Sequence, residues 1–445
     1  MKLHTVVNLL LLVNWWAGSS LADEYHYTNQ ILGDRNLGLG GAAVAVATDP
    51  TALYYNPAGL AFSKGVNVSG SMTSYAIQNI NFEDVLADQD FEVKSDGVVA
   101  TYIGFESRFQ WFPSWKFGFG IFVPDSFRQS QKIIFSEAPD LQITEGYWQR
   151  KQDSEESLYS FGAGRRLSSN MGIGWSLGYF QKQSDDMLHS EFQYLPSAGL
   201  PGAFRRLTAD YKAKTNVLGL QYNLGLSRTV GRHRLGARLQ AATILTQTRR
   251  GQNRRTLLYL DENGQPLPDP PDVGVNVFQF DNFVIDDDRA FGEPPVLARI
   301  GYAYFARWGL LASDLEYIHS RYDRFLRTRV GYVLNYNLGV EVNLAQQFRL
   351  RTGVFSNNDS RPELSNNAQL APSEEKIHID FQGYTFGLGY YSEGSHYSLG
   401  AVYQRGIGKA AIVNRNVTTG NTQEAAIDRV VATSLQVALG VSSSL

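Results

Sequence analysis

The stretch from Gly38 to Phe62 is the first candidate for a ligand-binding segment. It is rich in glycine and alanine, whose small side chains leave the backbone N–H groups accessible to a ligand. A glycine-rich run can cradle phosphate, but a phosphate loop ends in Lys-Ser or Lys-Thr, and a dinucleotide site joins a strand, a turn and a helix. Neither pattern is present. Asp49-Pro50 and Asn56-Pro57 each favour a turn, and small side chains let backbone pack on backbone. The stretch therefore predicts a compact plug and not a nucleotide site.

Covalent catalysis needs a nucleophile, a base and an orienting group close together. The chain has no cysteine and no Gly-x-Ser-x-Gly elbow. Its histidines are dispersed along the chain, at His4, His26, His189, His233, His319, His378 and His396. A triad can form from residues remote in sequence, so a lipid hydrolase remains an alternative. The sequence predicts no enzyme and no cofactor.

Acidic residues gather in the longest polar segment, at Asp261-Glu262-Asn263-Gly264 and at Asp286-Asp287-Asp288. The spacing of a calcium-binding EF-hand loop is absent, so we predict no metal site. The net charge is -3, and the sequence shows no basic stripe of the kind that binds nucleic acid. Nucleic acid is therefore not expected as a partner.

Residues 1–22 have a basic start, an apolar core from Val6 to Trp16 and a small-x-small end at Ser20-Leu21-Ala22. This is the pattern of a signal peptide cut after Ala22. The apolar core is shorter than the roughly 20 residues that a membrane helix needs. If the protein spans a membrane, we expect it to do so as a closed barrel of strands.

Beyond Asn67 the hydrophobic pattern has period two, which indicates strands. In Leu218–Leu226, for example, leucine and tyrosine alternate with glycine, glutamine and asparagine. Short turns alternate with long polar loops, the latter at 79–96, 127–155, 185–207, 249–294, 358–377 and 408–428, as in outer-membrane barrels. The pattern predicts an all-β transmembrane antiparallel barrel of about fourteen strands, near 66–78, 97–108, 116–124, 156–167, 171–184, 208–228, 232–248, 295–306, 309–320, 329–343, 347–357, 379–391, 395–406 and 429–441.

The ordered block Gly40-Gly41-Ala42-Ala43, Asp49 and Tyr55-Asn56-Pro57-Ala58-Gly59 resembles the N-terminal hatch of the FadL/TodX family of outer-membrane transport proteins. The resemblance implies a hatch motif at Asn56, Pro57 and Ala58. It also implies three parts: a signal peptide at 1–22, a periplasmic-side hatch at 23–64 that plugs the lumen, and a barrel with long extracellular loops at 65–445.

Apolar side chains predicted to face the lumen or the hatch suggest a pocket for an apolar ligand. The candidates are Leu53, Tyr54, Leu60, Phe62, Tyr102, Phe122, Phe180 and Phe355. Packing against the plug is the alternative explanation for each of them. Charged residues are also expected to face inward, at Arg165, Arg238, Arg299, Arg349, Arg351 and Glu341.

The third predicted strand contains Pro124, which cannot donate to a ladder and should interrupt pairing. Simple termination of the strand is the alternative. The segment is similar to the Gly-x-Phe-x-Pro block of the FadL/TodX family, whose third strand kinks inward and leaves a gap in the wall. The resemblance implies a lateral opening with Gly118, Gly120 and Pro124 as candidates.

The resemblance implies passive transport of hydrophobic small molecules, either long-chain fatty acids or aromatic hydrocarbons, by movement of the hatch and lateral exit. A barrel that carries or anchors another secreted protein is a second hypothesis, and an outer-membrane lipid hydrolase a third. We expect a monomer in the bacterial outer membrane, in contact with membrane lipid and lipopolysaccharide. Trp111, Phe112, Trp115 and Trp308 lie at predicted short turns, as aromatic residues do at membrane interfaces.

Overall fold

The computed structural model describes His26, residues 30–86, 89–135, 143–194, 204–260, Gln265, 277–286, 294–319, 321–323, 328–363, 376–412 and 426–444. The predicted signal peptide at 1–22 and the acidic motif at 261–264 lie outside these residues. So do Asp287 and Asp288 of the second acidic motif.

The segment before the first strand is short-helical. It contains α1 (Asp34–Gly38), α2 (Ala52–Tyr55) and a 3-10 helix, η1 (Pro57–Phe62). Asn56 precedes η1, and its side-chain oxygen accepts a hydrogen bond from the amide of Ala58 at 3.2 Å. Residues 30–63 are called the N-terminal segment below. No helix in the described part of the chain is long and apolar enough to cross a membrane.

Strands make up most of the rest of the described chain. They are β1 (Asn67–Leu86), β2 (Gln89–Ser107), β3 (Trp115–Phe135), β4 (Ile143–Arg166), β5 (Met171–Tyr194), β6 (Phe204–Val230), β7 (His233–Leu260), β8 (Val277–Asp286), β9 (Leu297–Phe305), β10 (Gly309–Ile318), β11 (Arg321–Asp323), β12 (Thr328–Val330), β13 (Val333–Asn343), β14 (Phe348–Asn357), β15 (Lys376–Ser392), β16 (Ser395–Ile412) and β17 (Ala426–Ser444).

The strands form a closed antiparallel barrel. Neighbours follow chain order from β1 to β7, then β9, β10 and β13 to β17, and β17 pairs with β1. This is a barrel of fourteen strands, so the predicted fold class and strand number are confirmed. Strand β8 pairs only with the far part of β7, and β11 and β12 form a separate hairpin.

Several strands extend far beyond their predicted ends. The expected loops at 127–155 and 185–207 are largely strand, because β3 reaches Phe135 and β5 reaches Tyr194. The expected loops at 79–96 and 249–294 also contain long stretches of strand. Those predictions were wrong because strand ends were placed where apolar alternation stops. A hydrogen-bonded ladder needs no apolar face where water wets the outside.

The outer face of the wall is apolar. Along β13, Leu334, Tyr336 and Leu338 are exposed, whereas Asn335 and Asn337 between them are buried. Apolar-out and polar-in alternation is typical of a membrane barrel. At the end with the short turns, Trp111 is 88% exposed, which fits an interfacial aromatic residue.

Candidate functional site

The N-terminal segment packs against the inner face of the barrel, backbone to backbone. Inward-facing glycines make this possible, because a Cβ on any of them would meet an atom of the segment within 3.3 Å. These glycines, called the glycine ring below, lie on every barrel strand except β1 and β10: Gly104, Gly118, Gly162, Gly164, Gly172, Gly174, Gly225, Gly236, Gly301, Gly339, Gly353, Gly387, Gly400 and Gly440.

Polar side chains of the wall also hold the segment. Asp314 on β10 accepts hydrogen bonds from the amides of Ala43 and Val44, at 2.8 and 3.0 Å. Asn337 donates to the carbonyl of Gly40 at 2.7 Å, and Ser176 donates to that of Leu53 at 2.8 Å. Each bond satisfies a buried backbone group that helices this short leave unpaired.

The predicted hatch motif sits at the centre of these contacts. Asn56 is fully buried and donates to the carbonyls of Val44, at 2.8 Å, and of Leu226 on β6, at 3.0 Å. Pro57 and Ala58 lie against Gly174 of β5 and Gly225 of β6. One asparagine therefore ties two parts of the segment to the wall.

Most of the predicted pocket residues meet in one apolar cluster. Leu53, Leu60, Tyr102, Phe122 and Phe180 are buried together, with Tyr54 packed against them. This cluster, which also contains Leu158 and Tyr55, is called the aromatic cluster below. Burial raises the pKa of Tyr55, whose hydroxyl accepts a hydrogen bond from the amide of Leu32 at 2.9 Å.

Two predicted pocket residues lie elsewhere. Phe62 is flanked by the guanidinium groups of Arg166 and Arg234, at 5.3 and 5.2 Å from its ring centre. Phe355 packs with Ile31 and Leu37 on the other side of the segment. Neither belongs to the aromatic cluster.

A buried cation adjoins the aromatic cluster. The guanidinium carbon of Arg238 lies 5.2 Å from the ring centre of Tyr54, and its Nε donates to Oδ1 of Asn223 at 3.2 Å. Among the described residues no carboxylate pairs with Arg238, although the side chain is only 5% exposed. Arg299 nearby is ion-paired with Glu316. Within the described part of the chain, Arg238 is thus a buried cation that lies beside an aromatic ring and has no ion-pair partner.

The other charged residues expected inside lie in three different environments. Arg351 and Glu341 are buried and paired at 2.7 Å. Arg349 bonds to carbonyls of the turn before it, including Ala345 at 2.7 Å. Arg165 is exposed beside Trp115, so its inward placement was wrong. It lies where the apolar belt ends, and there an outward charge reaches water and head groups.

The wall is incomplete between β2 and β3. Their ladder covers only Ser107–Phe117 to Tyr102–Phe122. Above it the described residues of β2 pair with β1 alone, and those of β3 pair with β4 alone. The ladder with β4 also skips Val123 and Pro124. A gap, called the β2–β3 gap below, therefore opens at the proline, where the sequence predicts interrupted pairing.

The aromatic cluster borders this gap. Tyr102 and Phe122 form the last pair of the ladder, and their rings stack with centres 5.9 Å apart and planes at 8°. The predicted opening residues Gly118 and Gly120 lie below, within the paired part. Pro124 alone of the three lies at the gap.

Sequence reasoning missed a buried ion pair under the gap. Lys116 of β3 and Glu106 of β2 are both almost fully buried, with Nζ and Oε1 3.1 Å apart. Lys116 also donates to the hydroxyl of Ser63 at 2.7 Å and to the carbonyl of Gly65 at 2.8 Å. The pair joins both strands to the end of the N-terminal segment. Its only sequence signal is the place of Lys116 on the inward face.

Comparisons with solved structures agree on the architecture. A Pseudomonas aeruginosa FadL homologue matches with a TM-score of 0.56 and 13% identity, over 94% of this chain and 99% of that one. The Pseudomonas putida toluene transporter TodX gives 0.60 and 14%, over 96% and 99%. The chain has the FadL/TodX fold. The Ralstonia pickettii toluene transporter TbuX gives 0.54 and 12%, over 93% and 98%. No family model and no curated protein matches the sequence.

The FadL/TodX fold and the apolar outer face together indicate a barrel that spans a membrane through its strands. No group of three or more His, Asp or Glu within the described ranges is arranged to hold a metal ion.

Proposed function

We propose that this chain is a monomeric outer-membrane channel for hydrophobic small molecules, either long-chain fatty acids or aromatic hydrocarbons. Residues 1–22 are removed as a signal peptide, and residues 23–64 act as a hatch in a barrel formed by residues 65–445. Lipopolysaccharide surrounds the outer end of the barrel. Transport is passive and ends with lateral exit through the wall.

The observation that carries this proposal is the position of the aromatic cluster at the edge of the β2–β3 gap. The last pair of the ladder, Tyr102 and Phe122, belongs to both features. An apolar molecule in contact with these rings lies next to the bilayer. It gains free energy by moving into lipid, whereas entry into water would cost free energy. The gap therefore favours sideways exit.

The hatch must shift for a ligand to pass. Leu53 and Leu60 belong to the aromatic cluster and also to α2 and η1, so the floor of the pocket is part of the N-terminal segment. The glycine ring leaves little room for the whole segment to leave the barrel. A local rearrangement around Asn56, Pro57 and Ala58 fits these contacts better.

Arg238 favours an acid over a plain hydrocarbon. Its guanidinium has no charged partner among the described residues and lies 5.2 Å from the ring of Tyr54. A carboxylate there would form charge-assisted hydrogen bonds, while its apolar chain contacted the cluster. Toluene would leave Arg238 without a counter-charge.

A crosslink across the gap tests the exit route. The chain has no cysteine, so Ala100→Cys with Ser126→Cys introduces one reactive pair above the last ladder pair. Bismaleimides of graded length should reduce uptake of radiolabelled oleate to the level of cells without the protein. The matched control is Ile103→Cys with Ile121→Cys, which already face each other in the ladder. Crosslinking the control should leave uptake unchanged.

Phe122→Arg and Arg238→Gln separate the two cargo classes. The first should abolish saturable binding of both oleate and toluene, and the second should weaken binding of oleate only. If uptake survives both the gap crosslink and Phe122→Arg, the transport proposal is wrong. A barrel that carries or anchors another secreted protein would then replace it, and a stable partner at the cell surface would identify that role.

A further inference from the structure

The barrel end with the short turns is strongly basic. Its cations are Lys64, Arg108, Arg165, Arg166, Arg228, Arg232, Arg234, Arg307 and Arg349. Within the described turns of this end, Glu393 is the one exposed acid. The acids Glu106 and Glu341 near this end are buried and already paired, with Lys116 and Arg351.

None of these nine cations forms an ion pair with a described residue. Those with side-chain hydrogen bonds use uncharged acceptors: Arg166 donates to the carbonyl of Ala61, Arg234 to the hydroxyl of Thr229 and Arg349 to the carbonyl of Ala345. Like charges gathered without counter-charge repel one another. An anionic partner would relieve that repulsion.

At the opposite end of the barrel, several of the described charges pair with one another. Arg128 pairs with Asp153 at 3.1 Å, and Lys214 pairs with Asp185 at 3.6 Å. Arg206 pairs with Glu191. Among the described residues, the nine cations of the short-turn end have no such ion-pair partners.

Two of the basic residues point away from the barrel at the border of the apolar belt. Arg228 follows exposed Leu224 and Leu226 on the outer face of β6, and Arg165 follows exposed Tyr159 and Phe161 on that of β4. The guanidinium carbon of Arg165 lies 5.9 Å from the ring centre of Trp115. Aromatic residues at this depth mark the level of lipid head groups.

The two arginines lie within reach of one anion. They flank β5, where Ile173 is opposite Arg165 and Met171 is opposite Arg228. Two strand spacings across and two residues along the strand separate their Cα atoms by about 12 Å. Two arginine side chains can span that distance and share one phosphodiester.

We propose that Arg165 and Arg228 bind the phosphate of an anionic phospholipid in the leaflet on the short-turn side. Short turns of such barrels face the periplasm, and the phosphates of lipopolysaccharide lie in the other leaflet. Arg232, in the adjoining turn, adds positive charge. The site holds a lipid on the outer wall and is separate from the interior pocket, so it does not depend on the cargo.

Quenching of tryptophan fluorescence by brominated lipids tests the site. Trp111, Trp115 and Trp308 lie at this end, so the other tryptophans of the mature chain, Trp148 and Trp175, are replaced by phenylalanine. The barrel is reconstituted in mixtures of phosphatidylcholine and brominated phosphatidylglycerol, and separately with brominated phosphatidylcholine. We expect phosphatidylglycerol to bind preferentially, with each arginine adding about fivefold to that preference.

The Arg165→Gln/Arg228→Gln variant should lose most of this preference, and high salt should reduce it in the unsubstituted barrel. The matched control is Arg206→Gln/Lys214→Gln at the opposite end, which should retain the preference. Circular dichroism verifies that both variants keep the barrel. Equal quenching by the two lipids in the unsubstituted protein would overturn the proposal. So would a preference that survives in the Arg165/Arg228 variant or falls equally in the control.

Discussion

The wall of this barrel differs between β2–β3 and the sheet formed by β13 to β17. Strands β15 and β16 pair without interruption from Lys376–Ala411 to Ser392–Ser395, whereas the ladder of β2 and β3 ends at Tyr102–Phe122. Both regions have the same apolar outer face and inward glycines against the N-terminal segment. The difference shows that the gap is a local feature. A bulge in the β3–β4 ladder and Pro124 lie at this seam, whereas the ladder of β15 and β16 is unbroken.

Breaking the ion pair below the gap should destabilise the β2–β3 seam more than any other change considered for it. Lys116→Met leaves Glu106 buried without a counter-charge, and we expect a loss of about 3–5 kcal/mol in the free energy of unfolding. Denaturant unfolding of the folded barrel in detergent measures it. Lys116→Met with Glu106→Leu removes both charges and should recover most of the loss. A double variant as unstable as the single one would refute this explanation.

The second prediction concerns the glycine ring, against which the N-terminal segment packs. Gly174→Ala places a Cβ against the backbone of Pro57 and Ala58, so overpacking should cost about 1–3 kcal/mol. Displacement of the segment should also raise ion conductance across a planar bilayer. The control is Gly97→Ala on β2, because a Cβ there meets nothing within 4 Å. The prediction is wrong if both substitutions have the same effect.

Substitution of Pro124 should change the stability of the seam only slightly. Pro124→Val restores a backbone N–H, so the ladder between β2 and β3 can extend and narrow the gap. We expect a gain of about 1 kcal/mol in the free energy of unfolding, the usual scale of one added hydrogen bond. Slower amide exchange in β3 and slower oleate uptake should accompany it. Unchanged exchange above Phe122 would show that the bulge opens the gap without the proline.

The barrel was predictable from the sequence because apolar alternation depends on one strand at a time. Leu224 and Leu226, for example, are exposed on β6 as the pattern predicts, and Asn223 is buried. Strand ends were not predictable in the same way. In the far parts of β5 and β6 the outer face is polar while Leu188 and Leu207 are buried on the inner face, so the ladder continues after the apolar outer face has ended.

The candidate site was predictable in its residue types but not in its partners. Inward aromatic residues such as Phe122 and Phe180 follow from alternation, but their meeting with Tyr54 depends on the register and on where the segment sits. The pairing of Lys116 with Glu106 depends on the register of the β2–β3 hairpin. Its connection is too long for the turn residues to fix that register. Alternation predicts that Arg238 faces inward, but only the structure shows that no described carboxylate pairs with it.

The glycine ring also bears on how the chain reaches its native state. The segment joins residues far apart in sequence, because Asn337 bonds to Gly40 across 297 positions and Thr385 bonds to Gly38 across 347. Contacts between residues so far apart in sequence make folding slow, because the chain must lose loop-closure entropy before these contacts can stabilise it. A segment in such close contact with inward glycines on twelve of the fourteen barrel strands has little room to enter a finished barrel. We therefore expect the strands to close around the segment during folding, so that its residues act as a template for closure.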